Sequence, residues 1–227
     1  MARTVNQASH TVRRDAFLDV AQRLIQAKGY DSLSIQDVID ALDASKGAFY
    51  HYFGSKTDLL EAIVERMADA VQASWDVVMA RPDLDAVARF EGILATTAQY
   101  KSARRELSLA LLEAWLSDRN TVLRERLRAM VARRLTPVLE RIISQGVAEG
   151  EFTPSDPEAT ARVIVELVLG SQEQATQLFV ARQAGEIEFE EVVRVYAGFS
   201  EALDRILGLR PGRLSLTDPP TLREWFA

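Results

Sequence analysis

The chain contains no cysteine among its 227 residues. That excludes a disulfide framework, a thiolate metal site and a cysteine nucleophile. Histidine is almost as scarce: His10 and His51 are the only two, too few for a histidine-based zinc centre. No cofactor and no metal are therefore expected. No apolar run approaches the roughly 20 residues that cross a bilayer. Near the start, Arg13-Arg14-Asp15 precede a broken apolar pattern, not the continuous core of a secretion signal. The expectation is a soluble, cytoplasmic protein with no membrane partner. There is also no glycine-rich phosphate loop, no Gly-x-Ser-x-Gly nucleophile elbow and no zinc triad, so an enzyme is not expected.

Glycine (11) and proline (7) are sparse, while apolar residues recur at helical spacing nearly throughout. No alternating strand pattern interrupts them. The fold expected is all-α, with about nine helices. The first spans about Thr11–Lys28, with Phe17, Val20, Ala21, Leu24 and Ile25 on one stripe, and Gly29 suits its stop. Ser34, three residues before Asp37, opens a short second helix to about Leu42. Ser45 is placed to cap a third, Lys46–Phe53. Gly54 ends that helix, and Ser55 with Asp58 caps a fourth that continues to Met79. Further helices are read at about Asp83–Lys101, Ala103–Ser117, Asn120–Glu149, Pro157–Gln183 and Glu186–Leu207. Residues 209–227, with Pro211-Gly212 and Pro219-Pro220, read as an irregular tail.

The 27 basic against 33 acidic residues leave a net charge of −6, which excludes a basic coat over the whole molecule but not a local DNA-binding face. Residues 1–56 carry 7 basic and 6 acidic side chains, and all of the acidic excess lies beyond them.

The second and third helices, joined by Asp43-Ala44, have the proportions of a helix-turn-helix. Ile35, Val38 and Leu42 give one of them an inward face, and Phe49 and Phe53 give one to the other. Lys46, Gly47, Ala48, Tyr50, His51 and Tyr52 are left to point elsewhere. A recognition helix reads bases near its N-terminus, where small residues permit close approach. Gly47 and Ala48 supply that closeness, Lys46 can reach a base edge or phosphate, and Lys56 can add a phosphate clamp.

The runs Gly29-Tyr30-Asp31-Ser32-Leu33-Ser34-Ile35 and Ser45-Lys46-Gly47-Ala48-Phe49-Tyr50-His51-Tyr52-Phe53-Gly54-Ser55-Lys56 resemble the N-terminal signature of TetR-family transcriptional regulators. Ser45–Lys56 is the specific part. The resemblance implies that Ser34, Lys46, Gly47, Ala48, Tyr50, His51, Tyr52 and Lys56 contact DNA, with Ser45 at the N-cap of the reading helix. Two positions depart from the family pattern. Asp43 stands where glycine is frequent, and aspartate tolerates the left-handed backbone better than most residues. Ala44 stands where a larger aliphatic is frequent.

A domain organisation follows: 1–56 as the DNA-binding domain, 57–208 as a ligand-binding and dimerisation domain, 209–227 as the tail. The last two helices carry apolar stripes, Val163, Ile164, Leu167, Val168, Ser171 and Ala175 on one, Phe189, Val192, Val193, Tyr196, Phe199, Leu203, Ile206 and Leu207 on the other. The resemblance makes them a homodimer interface addressing a palindromic double-stranded operator. It further implies a small, mainly apolar effector that releases a repressor, with Phe90, Tyr100, Trp115, Met130 and Phe179 as candidate ligand-binding residues. Residue by residue, these aromatics also suit an ordinary core. The basic run Arg124, Arg126, Arg128, Arg133 and Arg134 is a solvated helix face, a second nucleic-acid patch, or the source of one arginine turned inward to pair with an acidic ligand. A ligand-independent DNA-binding protein and an enzyme on a helical scaffold are the alternatives.

Overall fold

The computed structural model describes residues 2–116, 120–217 and 219–226. Among the described residues there are ten helices and no strand: α1 (Ala2–Lys28), α2 (Ile35–Ala41), α3 (Lys46–Tyr52), α4 (Lys56–Met79), α5 (Ala86–Ser102), α6 (Arg105–Leu116), α7 (Thr121–Glu149), α8 (Pro157–Gln183), α9 (Phe189–Leu207) and α10 (Pro219–Phe226). The all-α fold expected from the spacing is the fold found. The caps form where the sequence places them. Ser55 Oγ accepts from Asp58 N at 3.0 Å, and Asp156 Oδ1 accepts from Ala159 N at 3.0 Å ahead of Pro157 in the first turn of α8. Gly29 takes φ 76° at the end of α1, where a side chain would be strained.

Two expectations need correction, and a third is untested. Helix α1 starts at Ala2, not Thr11, because residues 2–10 contain neither glycine nor proline to stop it. The end expected for α6 at Ser117 lies outside the described residues. The irregular reading of 209–227 fails for α10: Pro219 occupies the first helical turn, where its missing N–H costs nothing, and Leu222, Trp225 and Phe226 follow at helical spacing.

The chain folds into two compact units, each built from two stretches. The boundaries fall inside α4, α5 and α7. In the first unit, residues up to Ala70 combine with Lys101–Leu127. Helix α1 packs on α2 and on α6, and Phe17, Leu18, Ala21, Ile25, Val38, Phe49, Leu59 and Ile63 are buried. Burying each of the larger side chains contributes about 1.5–3 kcal/mol.

The second unit joins Val71–Tyr100 to the chain from Arg128 onward. Its main core includes Trp75, Phe90, Ile142, Ile143, Ile164, Leu203 and Leu207. Trp75 Nε1 donates to Thr97 Oγ1 at 2.8 Å, which satisfies the one polar atom of that ring. A second cluster gathers Leu178, Val192, Leu222 and Phe226, flanked by Phe179, Phe189, Val193 and Tyr196, where α10 packs on α8 and α9. The path to α10 is held by Asp204, a fully buried residue of α9. Its carboxylate accepts from the backbone N–H groups of Gly212 at 2.7 Å, Arg213 at 3.2 Å and Leu214 at 3.0 Å.

Candidate nucleic-acid interface

The helix-turn-helix is set by three buried aromatic rings. Phe17 of α1 meets Phe49 at 5.8 Å and Phe53 at 6.2 Å between centroids, and Phe49 meets Phe53 at 5.5 Å. Edge-on and tilted rings at these separations are mutually favourable, and they fix α3 against α1. On α2 the buried residues are Val38 and Ile39. Ile35 and Leu42, expected inside, are only partly buried, because the short helix turns the 38–39 edge to the core.

Caps set the ends of both short helices. Ser34 Oγ accepts from Asp37 N at 3.1 Å and Asp37 Oδ2 accepts from Ser34 N at 2.7 Å, a reciprocal capping box. Lys28 Nζ pairs with Asp37 at 2.6 Å. Hydrogen bonds from Lys28 and then Ser34 hold the Asp37 carboxyl well below the usual carboxylate range. Between α2 and α3, Asp43 takes the left-handed conformation at φ 46°, as its place in the turn requires, and Ala44 N donates to Ile39 O at 3.0 Å. Ser45 Oγ then accepts from Ala48 N at 3.1 Å.

These constraints present one side of α3 outward. Ser34, Ser45, Lys46, Gly47, Tyr50 and His51 are exposed, and Ala48 is partly buried. Tyr50, 46% exposed, is a large apolar body in water. At Gly47 a Cβ would meet nothing nearer than Ser45 Oγ at 3.9 Å, so the fold itself does not demand glycine there. Tyr52 turns the other way. It is partly buried, with His10 at 4.6 Å, His51 at 5.0 Å and Phe17 at 5.8 Å. Lys56 is docked: Nζ donates to Asp31 O at 3.1 Å and sits 4.3 Å from the Tyr30 ring, and burial pulls its pKa down. Six of the nine expected positions are thus exposed together, with Ala48 beside them, while Tyr52 and Lys56 also serve the fold.

Sequence reasoning missed His10. Its ring lies 5.4 Å from His51, carried there by the early start of α1. The absence of glycine and proline from residues 2–10 was the available signal.

The ligand candidates do not gather in one core. Phe90 belongs to the main core of the second unit, and Phe179 lies in the other cluster, 6.3 Å from Phe226. Met130 is buried and Tyr100 partly buried in the second unit. Trp115 is partly buried in the first, and its carbonyl accepts from Arg124 Nη1 at 2.7 Å. The stripes of α8 and α9 are largely used within the chain: Ile164, Leu167, Val168, Leu203, Ile206 and Leu207 enter the main core, and Ala175, Phe189, Val192, Val193 and Tyr196 the second cluster. Val163 stays 55% exposed. Among the described residues, four of the five arginines in the basic run of α7 have partners, Arg124 through the Trp115 carbonyl. Arg126 pairs with Glu61 at 3.4 Å and Arg128 with Glu166 at 3.5 Å, while Arg134 donates to Gln72 Oε1 at 3.3 Å. Among the described residues, no group of three or more metal-ligating side chains occurs, and no helix is long and apolar enough to cross a membrane.

Comparison with known proteins agrees with this geometry. The model of bacterial regulatory proteins of the tetR family matches residues 17–63, and that of the tetracyclin repressor-like C-terminal domain matches residues 112–193. The HTH-type transcriptional repressor KstR2 of Rhodococcus jostii is 27% identical over 124 residues, which are 50% of this chain and 60% of that protein. The HTH-type transcriptional repressor AcnR of Corynebacterium glutamicum is 26% identical over 207 residues, 87% of this chain and 92% of that one. A transcriptional regulator of the TetR/AcrR family from Thermobifida fusca has a solved structure that superposes with a TM-score of 0.51 at 27% identity, covering 68% of this chain and 81% of that chain. With two models of one family together matching more than half of its length, an exposed α3 between two formed caps and repressors among its relatives, this chain belongs to the TetR family and is a helix-turn-helix, DNA-binding transcriptional regulator.

Proposed function

We propose that this regulator is a cytoplasmic repressor that binds a palindromic operator as a two-fold homodimer and releases it when a small effector binds. The observation that carries the DNA half is the outward set Lys46, Gly47, Tyr50 and His51, all within two turns of the capped start of α3. Lys46 and the first N–H groups of the helix supply donors to phosphate and base edge. Gly47 lets the backbone approach, and Tyr50 and His51 add hydrogen-bonding tips on flat bodies. Ser34 and Ser45 hold the two helix starts and lie beside the duplex backbone. Lys56 and Tyr52 act as supports with a remaining donor each: an ammonium has three protons, of which Asp31 takes one.

One module of this size makes few base contacts, so two copies are needed, with half-sites roughly 34 Å apart. The dimer forms through the faces of α8 and α9 that the chain leaves uncovered, which include Val163. An effector acts by binding one arrangement of the subunits better than the other, since only differential affinity shifts such a balance. Named repressors among the relatives and a second unit larger than dimerisation alone requires support that reading. The test is selection of bound fragments from the source genome, followed by a mobility-shift titration. Recovery of one palindromic motif fits the proposal; capture without sequence preference contradicts it.

A further inference from the structure

Two polar side chains near the junction of α5 and α6 stand out because no partner answers them among the described residues. Lys101, in the last turn of α5, is partly buried, and among the described residues its ammonium has neither an ion pair nor a hydrogen bond. Burial alone pulls its pKa below the ordinary lysine value. Seven residues on, Ser108 Oγ is buried with no hydrogen-bond partner. A helical serine commonly donates back to the carbonyl four residues earlier. Ser108 Oγ makes no such bond, although Arg104 O, which receives Ser108 N at 2.9 Å, has a second lone pair. Unanswered buried polar groups cost folding free energy, and native proteins keep few of them.

Both groups are donors: Lys101 closes α5, and Ser108 lies in the first turn of α6, the positive end of that helix. Arg104 N donates to Lys101 O at 3.0 Å, which keeps the link to α6 tight. The residues just before α6, Ala103 and Arg104, have no side-chain acceptor with which to cap its first N–H groups. That end of the helix carries partial positive charge. Beyond Ser108, the positions four and seven residues later are Leu112 and Trp115, which share its face and are likewise partly buried. Leu107 and Ala114, which are buried, lie on a different line of the helix. The Ser108 face therefore runs from a donor at one end to an apolar indole about 10 Å away.

We propose that this corner of the first unit binds an anionic amphiphile, its headgroup against Lys101 and Ser108 and its apolar body along Leu112 and Trp115. The proposal rests on the effector reading above and gives its small, mainly apolar ligand a carboxylate or a phosphate monoester as headgroup. An acceptor of opposite charge answers both donors at once, and a headgroup without charge answers neither the ammonium nor the helix end as well.

The experiment titrates the full-length protein with decanoate, decyl phosphate and decanol, each below its aggregation concentration. Binding is followed by calorimetry and operator occupancy by mobility shift. At least one anion is expected to bind about tenfold or more tighter than decanol. Tighter binding of decanoate alone identifies a carboxylate, of decyl phosphate alone a phosphate monoester. Lys101→Met should abolish the preference, Ser108→Ala should reduce it, and both should hold operator as before when no ligand is present. Anions that bind no better than decanol to the unaltered protein overturn the proposal without recourse to any variant, as does a preference that survives Lys101→Met. Lys101-dependent anion binding that leaves operator occupancy unchanged keeps the site and refutes the effector reading. Release by decanol alone keeps the effector reading and refutes the anionic site.

Discussion

At Gly47 the protein leaves room that it does not use. An added methyl group would find only Ser45 Oγ, at 3.9 Å, and alanine is the better helix former by about 1 kcal/mol. Gly47→Ala is therefore expected to melt slightly above the unaltered protein and yet bind operator about tenfold more weakly, a difference of ~1.4 kcal/mol. Calorimetric melting and mobility shift on the same sample check both halves. A loss of stability would mean that the glycine serves the fold.

Asp37 gives a residue-scale prediction in pH. Its folded pKa lies below its unfolded one, so its ionised form favours the fold. That contribution is present above about pH 4, the unfolded range, and is lost as pH falls through the lower folded value. Asp37→Asn should lower the melting temperature at neutral pH, and the gap to the unaltered protein should close in strong acid. Ser34→Ala, which removes the other half of the capping box, is expected to cost about 1 kcal/mol.

Among the elements, α10 has the clearest measurable consequence. Tyr196 lies 6.1 Å from Phe226, and burial pushes its pKa up to about 12. Phe226→Ala should bring the Tyr196 titration back toward 10, read from phenolate absorbance, and destabilise the chain by about 3–5 kcal/mol. The sign follows from burial disfavouring the charged form: stability from this group is present below pH 10 and falls as the unfolded chain ionises first. The strap before α10 depends on Asp204. Asp204→Ala strands three backbone N–H groups, at a cost of about 3 kcal/mol.

The elements also mark where local sequence suffices. Caps, glycine stops and the Asp43 turn are decided within four residues, so the ends of α2, α4 and α8 could be read from sequence. The reading of Pro219-Pro220 as a break overlooked the rule applied to Pro157: proline opens a helix as readily as it ends one. Burial of Ile39 in place of Ile35 and Leu42 is set by the angle at which α1 lies on α2, which no local pattern contains. The exposed set on α3 was legible because caps and ring packing over about ten residues determine it. Where Phe90, Trp115 and Phe179 fall relative to one another was not, since distant helices place them. Lys101 and Ser108 gave no sequence signal at all: a charged and a polar residue on helices read as surface until their surroundings are known.

For the whole molecule, acidic overall at −6, attraction to DNA must come from a local face. Operator affinity should fall linearly on a log–log scale as salt rises, in proportion to the phosphates neutralised. In solution, sedimentation should give twice the 25.3 kDa chain mass at micromolar concentration, with and without operator. A monomer under both conditions would contradict the two-fold reading.

On the proposed reading, the outward residues of α3 contact the operator while the remainder of the helix-turn-helix only holds them in place. The double variant Lys46→Ala with Tyr50→Ala tests this most directly, because both side chains are exposed and their removal should leave the melting temperature unchanged. Capture of the operator fragment is expected to fall at least a hundredfold, about 2.7 kcal/mol at 1.4 per decade. Undiminished capture by a folded double variant would contradict the account.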